Sequence, residues 1–549
     1  MKRALFIYFL IAVTLFSNTW IDPAGSLIGT PKDPKLFVWY LGWLPHELSL
    51  GHNPLFTNYL SYPSGVNLMW NTSIIFPALL LWPVTGAFGP VVAYNVMITA
   101  GLALSAWFGF LAARRFIDSE LACFAAGLLY GFSPALIAQA LGHPHVVVAL
   151  FPPIALVLGH EILVRHRMNP AVAGAISGVA AALQLLTGEE LLAMTVLVVG
   201  VGVAVLALMH RGQVRPLLPI AGTATGVAIV SFALITAIPV SFQFFGPQTV
   251  TGDVQQPDVY VSDLLAFALP SNLIHFTGNT TENGAYIGLP LLVLFIAGLV
   301  IGRKHGWIQW TGWMTLIVAV LSLGPHLHVN GNVTPLWLPW VLVAKLPLMG
   351  SALPARLMVI AWLGVALVVA AIVSMALKAR PGRRIATGVV LIAGLAAIFP
   401  SVPYQSVSAS VPAFFRPGGG VENVEPGSVM LITPFSSKQS TDAMLWQAAA
   451  KYRFRMPEGD AFTPGPYLGP HPSFLEKTLD GMDANQQRLA VTPEVRAMTA
   501  ADLQAFQVRT IVAGPSPGQT AIVAFWTEFE GTAPIVDGGV DVWALPTLH

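Results

Sequence analysis

The first polar segment of the chain carries a carboxylate that could act as a general base. Asp33 follows the apolar N-terminus, and Trp39 and Trp43 come after it with i,i+4 spacing. A carboxylate held beside a substrate hydroxyl can remove its proton. The two tryptophans would share one helix face at headgroup depth, as interfacial anchors do, and Trp39 is also a candidate substrate contact. The alternative is an interfacial helix in which Asp33 is the N-cap and Pro34 the first helical residue.

Arg356 is a candidate ligand for a phosphate group. It lies in the sequence Leu-Pro-Ala-Arg-Leu at the mouth of an apolar segment, and its guanidinium offers a fork of donors that suits phosphate. Its other possible role is to extend toward the membrane surface while its stem stays in lipid. Lys345 is a second, less favourable candidate for the same phosphate-binding role.

Two short polar turns add further candidates for substrate binding. Glu189 and Glu190 could bind a sugar or a divalent cation, or form a solvated turn at a helix N-terminus. His143 and His145 could contact substrate, hold a metal together with an acid such as Glu189, or form a plain polar turn. The sequence does not assign a metal, and a divalent cation remains one option.

His326 and His328 repeat this histidine spacing in a later loop. Residues 240–284 are predicted to form an acidic loop. The simplest interpretation is that this loop is solvated, and the alternative is that its carboxylates contact sugar hydroxyls. The four acids concerned are Asp253, Asp258, Asp263 and Glu282.

These candidates belong to a chain that is too apolar for a water-soluble protein. Of its 549 residues 10% are charged and 55% hydrophobic, with a mean hydropathy of +0.69. Soluble domains average about 25% charged residues. A net charge of +1 gives no basic surface for nucleic acid, and the single Cys123 excludes a disulfide within one chain. Walker and HExxH motifs are absent from the sequence.

Eleven apolar segments have the length of a membrane span. Of the 18 Lys and Arg in residues 1–400, 14 fall in alternate loops, which the positive-inside rule places in the cytoplasm. Residues 73–90 are apolar but interrupted by prolines, so we expect a helix that lies in or re-enters the outer interface. The predicted spans are 4–16, 91–112, 121–140, 146–164, 170–187, 190–209, 217–239, 285–302, 308–324, 355–377 and 384–400.

The predicted fold class is an α-helical polytopic membrane protein with a C-terminal extracytoplasmic α/β domain. Residues 1–400 form the transmembrane domain, with 21–90 as a first extracytoplasmic loop that contains interfacial helices. Residues 401–549 form the α/β domain, with the N-terminus cytoplasmic and the C-terminus outside a bacterial-type plasma membrane. Its predicted strands are 429–434, 508–513 and 540–545, and its predicted helices are 442–451 and 520–528.

This layout resembles the GT-C superfamily of membrane glycosyltransferases. Members carry an acid in the first extracytoplasmic loop, which Asp33 matches by position. The segment around Pro77 resembles the interfacial helix of protein mannosyltransferase and lipid A aminoarabinose transferase relatives. The segments 322–331, 353–357 and 444–447 also look like those of largely uncharacterised bacterial membrane proteins related to these enzymes. Pro34 follows Asp33, so this chain lacks the paired acids of some members.

The resemblance implies an enzyme that transfers a hexosyl or pentosyl group from a polyprenyl-phosphate donor. The acceptor would be a glycan, lipid or protein of the cell envelope, reached at the outer face of the membrane. Asp33 would be the catalytic base, and the other candidates would bind substrate. The alternative is a non-catalytic or transport protein that binds a lipid-linked glycan in the same groove.

Overall fold

A computed structural model describes residues 1–251, 258–276, 282, 284–436, 440–465, 469 and 472–545. The chain divides into two compact units. The first, here the helical unit, contains Met1–Trp20, Val96–Ala237 and Asp253–Gln405. The second, here the mixed unit, contains Ile21–Asn95, Ile238–Gly252 and Ser406–His549. Each unit is therefore assembled from segments that are far apart in sequence.

The helical unit consists of long apolar helices joined by short turns. One two-stranded antiparallel hairpin, His326–Val329 with Asn332–Trp337, interrupts them. The helices that lie in this unit or extend into it are Lys2–Leu15, Ser17–Ile21, Pro90–Ala113, Glu120–Gly131, Pro134–Gln139, Pro144–Val147, Phe151–His160, Glu161–Arg165, Pro170–Leu185, Glu189–Met209, Arg211–Phe245, Leu289–Ile301, Gly306–Ser322, Trp340–Val343, Met358–Leu377 and Pro381–Ala397.

Six helical segments among the described residues are long and apolar enough to cross a membrane. Every one of the eleven apolar segments predicted from the sequence falls on helical structure, although the number of crossings stays a prediction. The most completely buried of the six is Pro354–Leu377, which makes it the central helix of the unit. The other five are Pro90–Ala113, Glu120–Gln139, Pro144–Arg165, Glu189–Met209 and Arg211–Phe245.

The doubtful segment 73–90 forms two short helices in the mixed unit. Ile75–Leu80 has six residues and Trp82–Phe88 has seven. At about 1.5 Å per residue, neither approaches the roughly 30 Å of a bilayer core. The structure thus agrees with a segment that does not cross as one helix, and its placement in the outer interface remains a prediction.

The mixed unit contains a four-stranded sheet in the order Val429–Thr433, Val508–Ala513, Val540–Ala544, Ile535–Asp537. The first pair is parallel and the other two are antiparallel. The sheet contains all three strands predicted for the tail. The longer helices of this unit are Asp33–Ser49, Asp442–Ala449, Phe474–Asn485, Pro493–Ala505 and Gln519–Glu530, and its short strands are Ser26–Ile28, Phe56–Thr57, Val66–Asn67 and Ser406–Ser408.

The tail and the first loop share this unit, which differs from the division at residue 400 made on charge. Ser26–Ile28 pairs with Ser406–Ser408, and Thr441 donates a hydrogen bond to the carbonyl of Lys32 at 2.6 Å. Composition separates polar from apolar segments, but it cannot show which polar segments pack together. The first loop is therefore structured by the tail.

Two glycines allow close helix packing in the helical unit. A Cβ placed on Gly174 or Gly178 would lie 2.2 Å from the carbonyl oxygen of Ala224 or Ala228, respectively, on the helix Arg211–Phe245. Gly226, between these two alanines, has open space at the same position. Small residues spaced by four are the usual means of bringing membrane helices into backbone contact.

We expect Gly178→Ala to destabilise the protein and Gly226→Ala to leave its stability unchanged or slightly raised. The added methyl at position 178 must push two backbones apart, at a cost of about 1–3 kcal/mol. The melting temperature of both variants in the same detergent measures the difference. Equal melting temperatures would show that these helices are not in close contact.

Candidate functional site

Arg356 lies where the central membrane helix begins. A 3₁₀ turn, Pro354–Leu357, leads directly into the helix Met358–Leu377, and Pro354 suits the first position of such a turn because it lacks an N–H. The side chain of Arg356 is only 10% exposed. A buried guanidinium must be paired, so the surrounding groups decide what it can bind.

Two carboxylates hold this guanidinium. Nη1 of Arg356 donates to Oε2 of Glu190, while Nε and Nη2 donate to the two oxygens of Glu282 at 3.1 and 2.6 Å. Glu190 also accepts the backbone N–H of Leu353 at 2.7 Å, which fixes the turn before Arg356. Three of the five guanidinium N–H groups are used in these bonds, and the other two make no hydrogen bond to any described residue.

Gln139 and two histidines complete this cluster. Nε2 of Gln139 donates to Glu282 at 2.8 Å, and Nδ1 of His143 lies 3.6 Å from the same carboxylate. His145 is buried, and its ring centroid lies 6.0 Å from that of His143. Burial raises the pKa of Glu282, but the charges of Arg356 and His143 and the hydrogen bonds from Arg356 and Gln139 lower it to about 2. Glu282 is therefore ionised at neutral pH.

The cluster brings together five residues singled out in the sequence: Arg356, Glu190, Glu282, His143 and His145. Glu189 precedes Glu190 in the first turn of the helix Glu189–Met209 and is half-buried. Lys345, by contrast, is exposed. The pairing of Arg356 within the protein also shows that it does not extend freely to the membrane surface.

Sequence reasoning underestimated Glu282 and missed Gln139. Glu282 is 4% exposed, so its interpretation as a solvated loop residue is wrong. Asp263 is also buried, and its carboxylate accepts the backbone N–H groups of Leu265 and Gly331 at 2.9 Å each. No local pattern marks Glu282, because its partners Gln139 and Arg356 are far away in the sequence. Asp263 has one local partner, Leu265, and one distant partner, Gly331. Asp253 lies outside the described residues.

The second histidine pair lies on the hairpin strand His326–Val329. Nδ1 of His326 is 2.7 Å from Oδ2 of Asp258, and Nε2 of His328 is 3.7 Å from Oδ1 of the same residue. Within the described part of the chain, no group of three or more His, Cys, Asp or Glu could hold a metal ion. The divalent cation suggested by the sequence stays a prediction.

Asp33 belongs to the mixed unit and begins the helix Asp33–Ser49. Lys32 occupies the N-cap position, one residue earlier than predicted, and Asp33 is the acid of the first turn. The lysines on both sides of Asp33 pair with acids of the tail: Lys32 with Asp460 at 3.2 Å and Lys35 with Asp442 at 2.5 Å. Asp33 is thus half-buried and lies between two lysines that are paired with acids of the tail.

Trp39 and Trp43 share one helix face as predicted, but they are not headgroup anchors. Their rings stack with centroids 4.9 Å apart, and they are 0% and 2% exposed. Trp39 donates to Oε1 of Gln447 at 2.6 Å. This indole therefore packs against the tail and has no exposed surface with which to touch a substrate, which corrects both of its predicted roles.

Solved structures share this architecture. The chain aligns over its full length with the arabinofuranosyltransferase AftD from Mycobacteria at a TM-score of 0.61 and 16% identity, and covers 40% of the AftD chain. A second match is the oligosaccharyltransferase AglB from Archaeoglobus fulgidus, in complex with an inhibitory peptide and a dolichol-phosphate. Its TM-score is 0.50 at 13% identity, and the alignment covers 97% of this chain and 71% of the AglB chain. ArnT from Cupriavidus metallidurans aligns with a TM-score of 0.48 and 12% identity, over 98% of this chain and 95% of the ArnT chain.

AftD and AglB are GT-C glycosyltransferases, and the chain accordingly has the GT-C fold of polytopic membrane proteins. Its own family is defined by sequence. The chain belongs to the family of the domain of unknown function DUF6311, whose model matches residues 5–399. Sequence comparison with curated proteins finds no relative.

We expect Arg356→Gln to destabilise the protein strongly, because it leaves two buried carboxylates without their counter-charge. Breaking a buried ion pair from one side costs about 3–5 kcal/mol. Lys345→Gln removes an exposed cation and should change stability by less than about 0.5 kcal/mol. Melting temperatures in detergent test this pair of variants, and similar values for both would argue against a buried ion cluster.

Glu282 should contribute a stability that depends on pH. Because its pKa is lowered to about 2, the contribution is present above the ordinary carboxyl pKa of about 4.5 and is lost as the pH falls toward 2. The melting temperature of the wild type should thus exceed that of Glu282→Gln most above pH 5, and the two should converge only near pH 2. A difference that is independent of pH would contradict this ionisation.

Proposed function

We propose that this protein is a membrane glycosyltransferase that takes a sugar from a polyprenyl-phosphate donor. The fold supports a glycosyltransferase, and the observation that carries the proposal is the Arg356 cluster. Segments around residues 143, 190, 282 and 356 meet in one polar, largely buried group at the ends of apolar helices. Burying such a group at the edge of a membrane domain costs free energy, and ionisable residues placed there commonly mark a functional site.

The chemistry of the cluster suits the phosphate of a lipid-linked donor. The two N–H groups of Arg356 not used by the carboxylates can bind two phosphate oxygens, and His143, 16% exposed, can donate a third hydrogen bond. Glu190 and Glu282 hold the guanidinium in place, so little reorganisation is needed when phosphate binds. AglB is known in complex with a dolichol-phosphate, a lipid of this chemical class.

Asp33 is the proposed catalytic base. Its carboxylate would take the proton of the acceptor hydroxyl as that oxygen attacks the anomeric carbon, and the bond from this carbon to the phosphate oxygen breaks. Polyprenyl phosphate is the leaving group. We place the reaction at the outer face of the plasma membrane, supported by the 14 Lys and Arg in alternate loops. A cell-envelope glycan, lipid or protein would be the acceptor.

Asp33→Asn is expected to lower sugar transfer at least about 100-fold, since a general base contributes roughly 10²–10⁴ in rate. The measurement is transfer from radiolabelled polyprenyl-phosphate hexoses and pentoses by purified protein, with an envelope fraction as acceptor. Asp22→Asn is the matched control, because Asp22 is an exposed acid of the same loop whose oxygen caps Gly25, a bond that asparagine can keep. Its transfer should stay within about twofold of wild type.

Two other results would change the proposal. Equal transfer by Asp33→Asn and the wild type would remove Asp33 as the base. Binding of the donors by the wild type without any transfer would favour the alternative, a protein that binds or moves a lipid-linked glycan.

A further inference from the structure

The mixed unit contains a cavity of about 500 Å³. It is lined by His46 and Tyr59 from the first loop and by residues of the two tail segments 415–427 and 449–455. Cavities of about 300–1,000 Å³ are the usual size for small-molecule sites, so a short saccharide fits here. Neither Asp33 nor any residue of the Arg356 cluster lines it, which makes it a separate site within the described part of the chain.

The lining of this cavity is strongly basic. Arg416, Lys451, Arg453 and Arg455 line it together with one acid, Glu422. These are four of the nine Lys and Arg in residues 401–549, a segment that has 14 acids and a net charge of −5. Among the described residues, none of the four pairs with a carboxylate. Burial lowers the pKa of His46, so its imidazole adds no charge at neutral pH.

Hydrogen bonds to backbone carbonyls fix the guanidinium of Arg453, and main-chain hydrogen bonds fix the backbone of Arg455. Arg453 donates from Nε to the carbonyl of Val424 at 3.0 Å and from Nη2 to that of Glu422 at 2.7 Å. Arg455 is bridged to the edge of the sheet, because its N–H donates to Ser428 and its carbonyl accepts from Met430, both at 2.9 Å. Cations that are already ordered lose little entropy when an anion binds.

Arg455 has a donor that the protein does not use. Its Nε is buried and has no hydrogen-bond partner among the described residues. Its guanidinium carbon lies 5.7 Å from the ring centroid of Tyr59 and 5.4 Å from that of Tyr62. These rings position the guanidinium but cannot replace an anionic acceptor, and a buried charged donor without a partner is costly. The missing partner is best supplied by a ligand.

The backbone at the cavity is also unusual. Lys451 and Tyr452 are consecutive non-glycine residues with φ angles of 52° and 55°. Left-handed backbone in such residues costs free energy and is concentrated at functional sites. Tyr452 is held there by a hydrogen bond from its hydroxyl to the carbonyl of Trp39 at 2.8 Å. This arrangement places an exposed lysine and a buried aromatic ring side by side on the cavity wall.

We propose that this cavity binds an anionic saccharide, with its carboxylate or phosphate groups on Arg453, Arg455 and Lys451. Tyr59, which is half-buried, supplies aromatic surface for the C–H face of a sugar ring, since aromatic faces carry partial negative charge. The inference deepens the proposed function, because it assigns the acceptor to the class of acidic glycans. Only the role of the bound saccharide as acceptor rests on the proposed function, and the binding of an anionic saccharide does not depend on it.

The test is calorimetric titration of the full chain in phosphatidylcholine nanodiscs, which needs no donor and no turnover. The ligands are trigalacturonate, glucose 6-phosphate and, as the neutral comparison, maltotriose. At least one acidic ligand should bind about tenfold or more tightly than maltotriose and weaken with added salt. Arg455→Gln should reduce that affinity about tenfold, and Lys451→Gln should reduce it severalfold.

Arg488→Gln is the matched control, because Arg488 is an exposed arginine of the same unit, 47% accessible, outside the cavity. Its affinity should equal that of the wild type within about twofold. If Arg455→Gln proves unstable, Lys451→Gln decides, since its side chain is exposed and makes no hydrogen bond among the described residues.

Three results would overturn the proposal: no acidic saccharide binds, maltotriose binds equally well, or Arg488→Gln weakens binding as much as Arg455→Gln. Binding of phosphatidylglycerol vesicles alone, lost in Arg455→Gln, would identify a lipid-headgroup site instead. Sugar transfer that persists while the cavity binds no acidic saccharide would leave the proposed enzyme intact and place its acceptor elsewhere.

Discussion

Arg356 carries its charge into a position that is only 10% exposed, where several kcal/mol of desolvation must be offset. Glu190 and Glu282 supply the counter-charge, and each comes from a different part of the chain. Glu190 lies in the first turn of a membrane helix. Glu282 lies in a loop, and its carboxylate also accepts a hydrogen bond from Gln139. Glu190 and Glu282 can reach Arg356 only if the ends of the surrounding helices lie next to the turn Pro354–Leu357. The ion cluster and the helix packing therefore depend on each other.

This constraint also defines what the cluster can do chemically. Two carboxylates and one guanidinium leave a net negative charge when all are ionised, so free phosphate is not attracted by charge alone. A phosphate is favoured where it can use oriented N–H groups, and the fork of Arg356 presents them in a fixed plane. The proposed phosphate ligand must therefore be selected by the geometry of these N–H groups and not by net charge.

The sequence predicted those features that depend on local pattern. Apolar segments of spanning length became helices, the tail strands formed a sheet, and the lone Arg at a span mouth was found with Glu190 and His143 around it. Features that depend on distant pairing were not accessible. The local sequence predicts Trp39 to be an interfacial residue, because its hydrogen-bond partner Gln447 is 408 positions away. The local sequence predicts Glu282 to be solvated for the same reason, since its partners Arg356 and Gln139 lie 74 and 143 positions away.

Charge is scarce in residues 1–400, and its use shows why net charge is a poor guide to this protein. Of the four Lys and Arg outside the basic loops, Lys32, Lys35 and Arg356 are in ion pairs, while Lys345 is exposed. The tail has the opposite character, with a net negative charge that conceals four cations around one cavity. Fields inside a cavity are set by the nearest fixed charges, because salt screens the rest within about 10 Å. An acidic domain can thus still hold an anion.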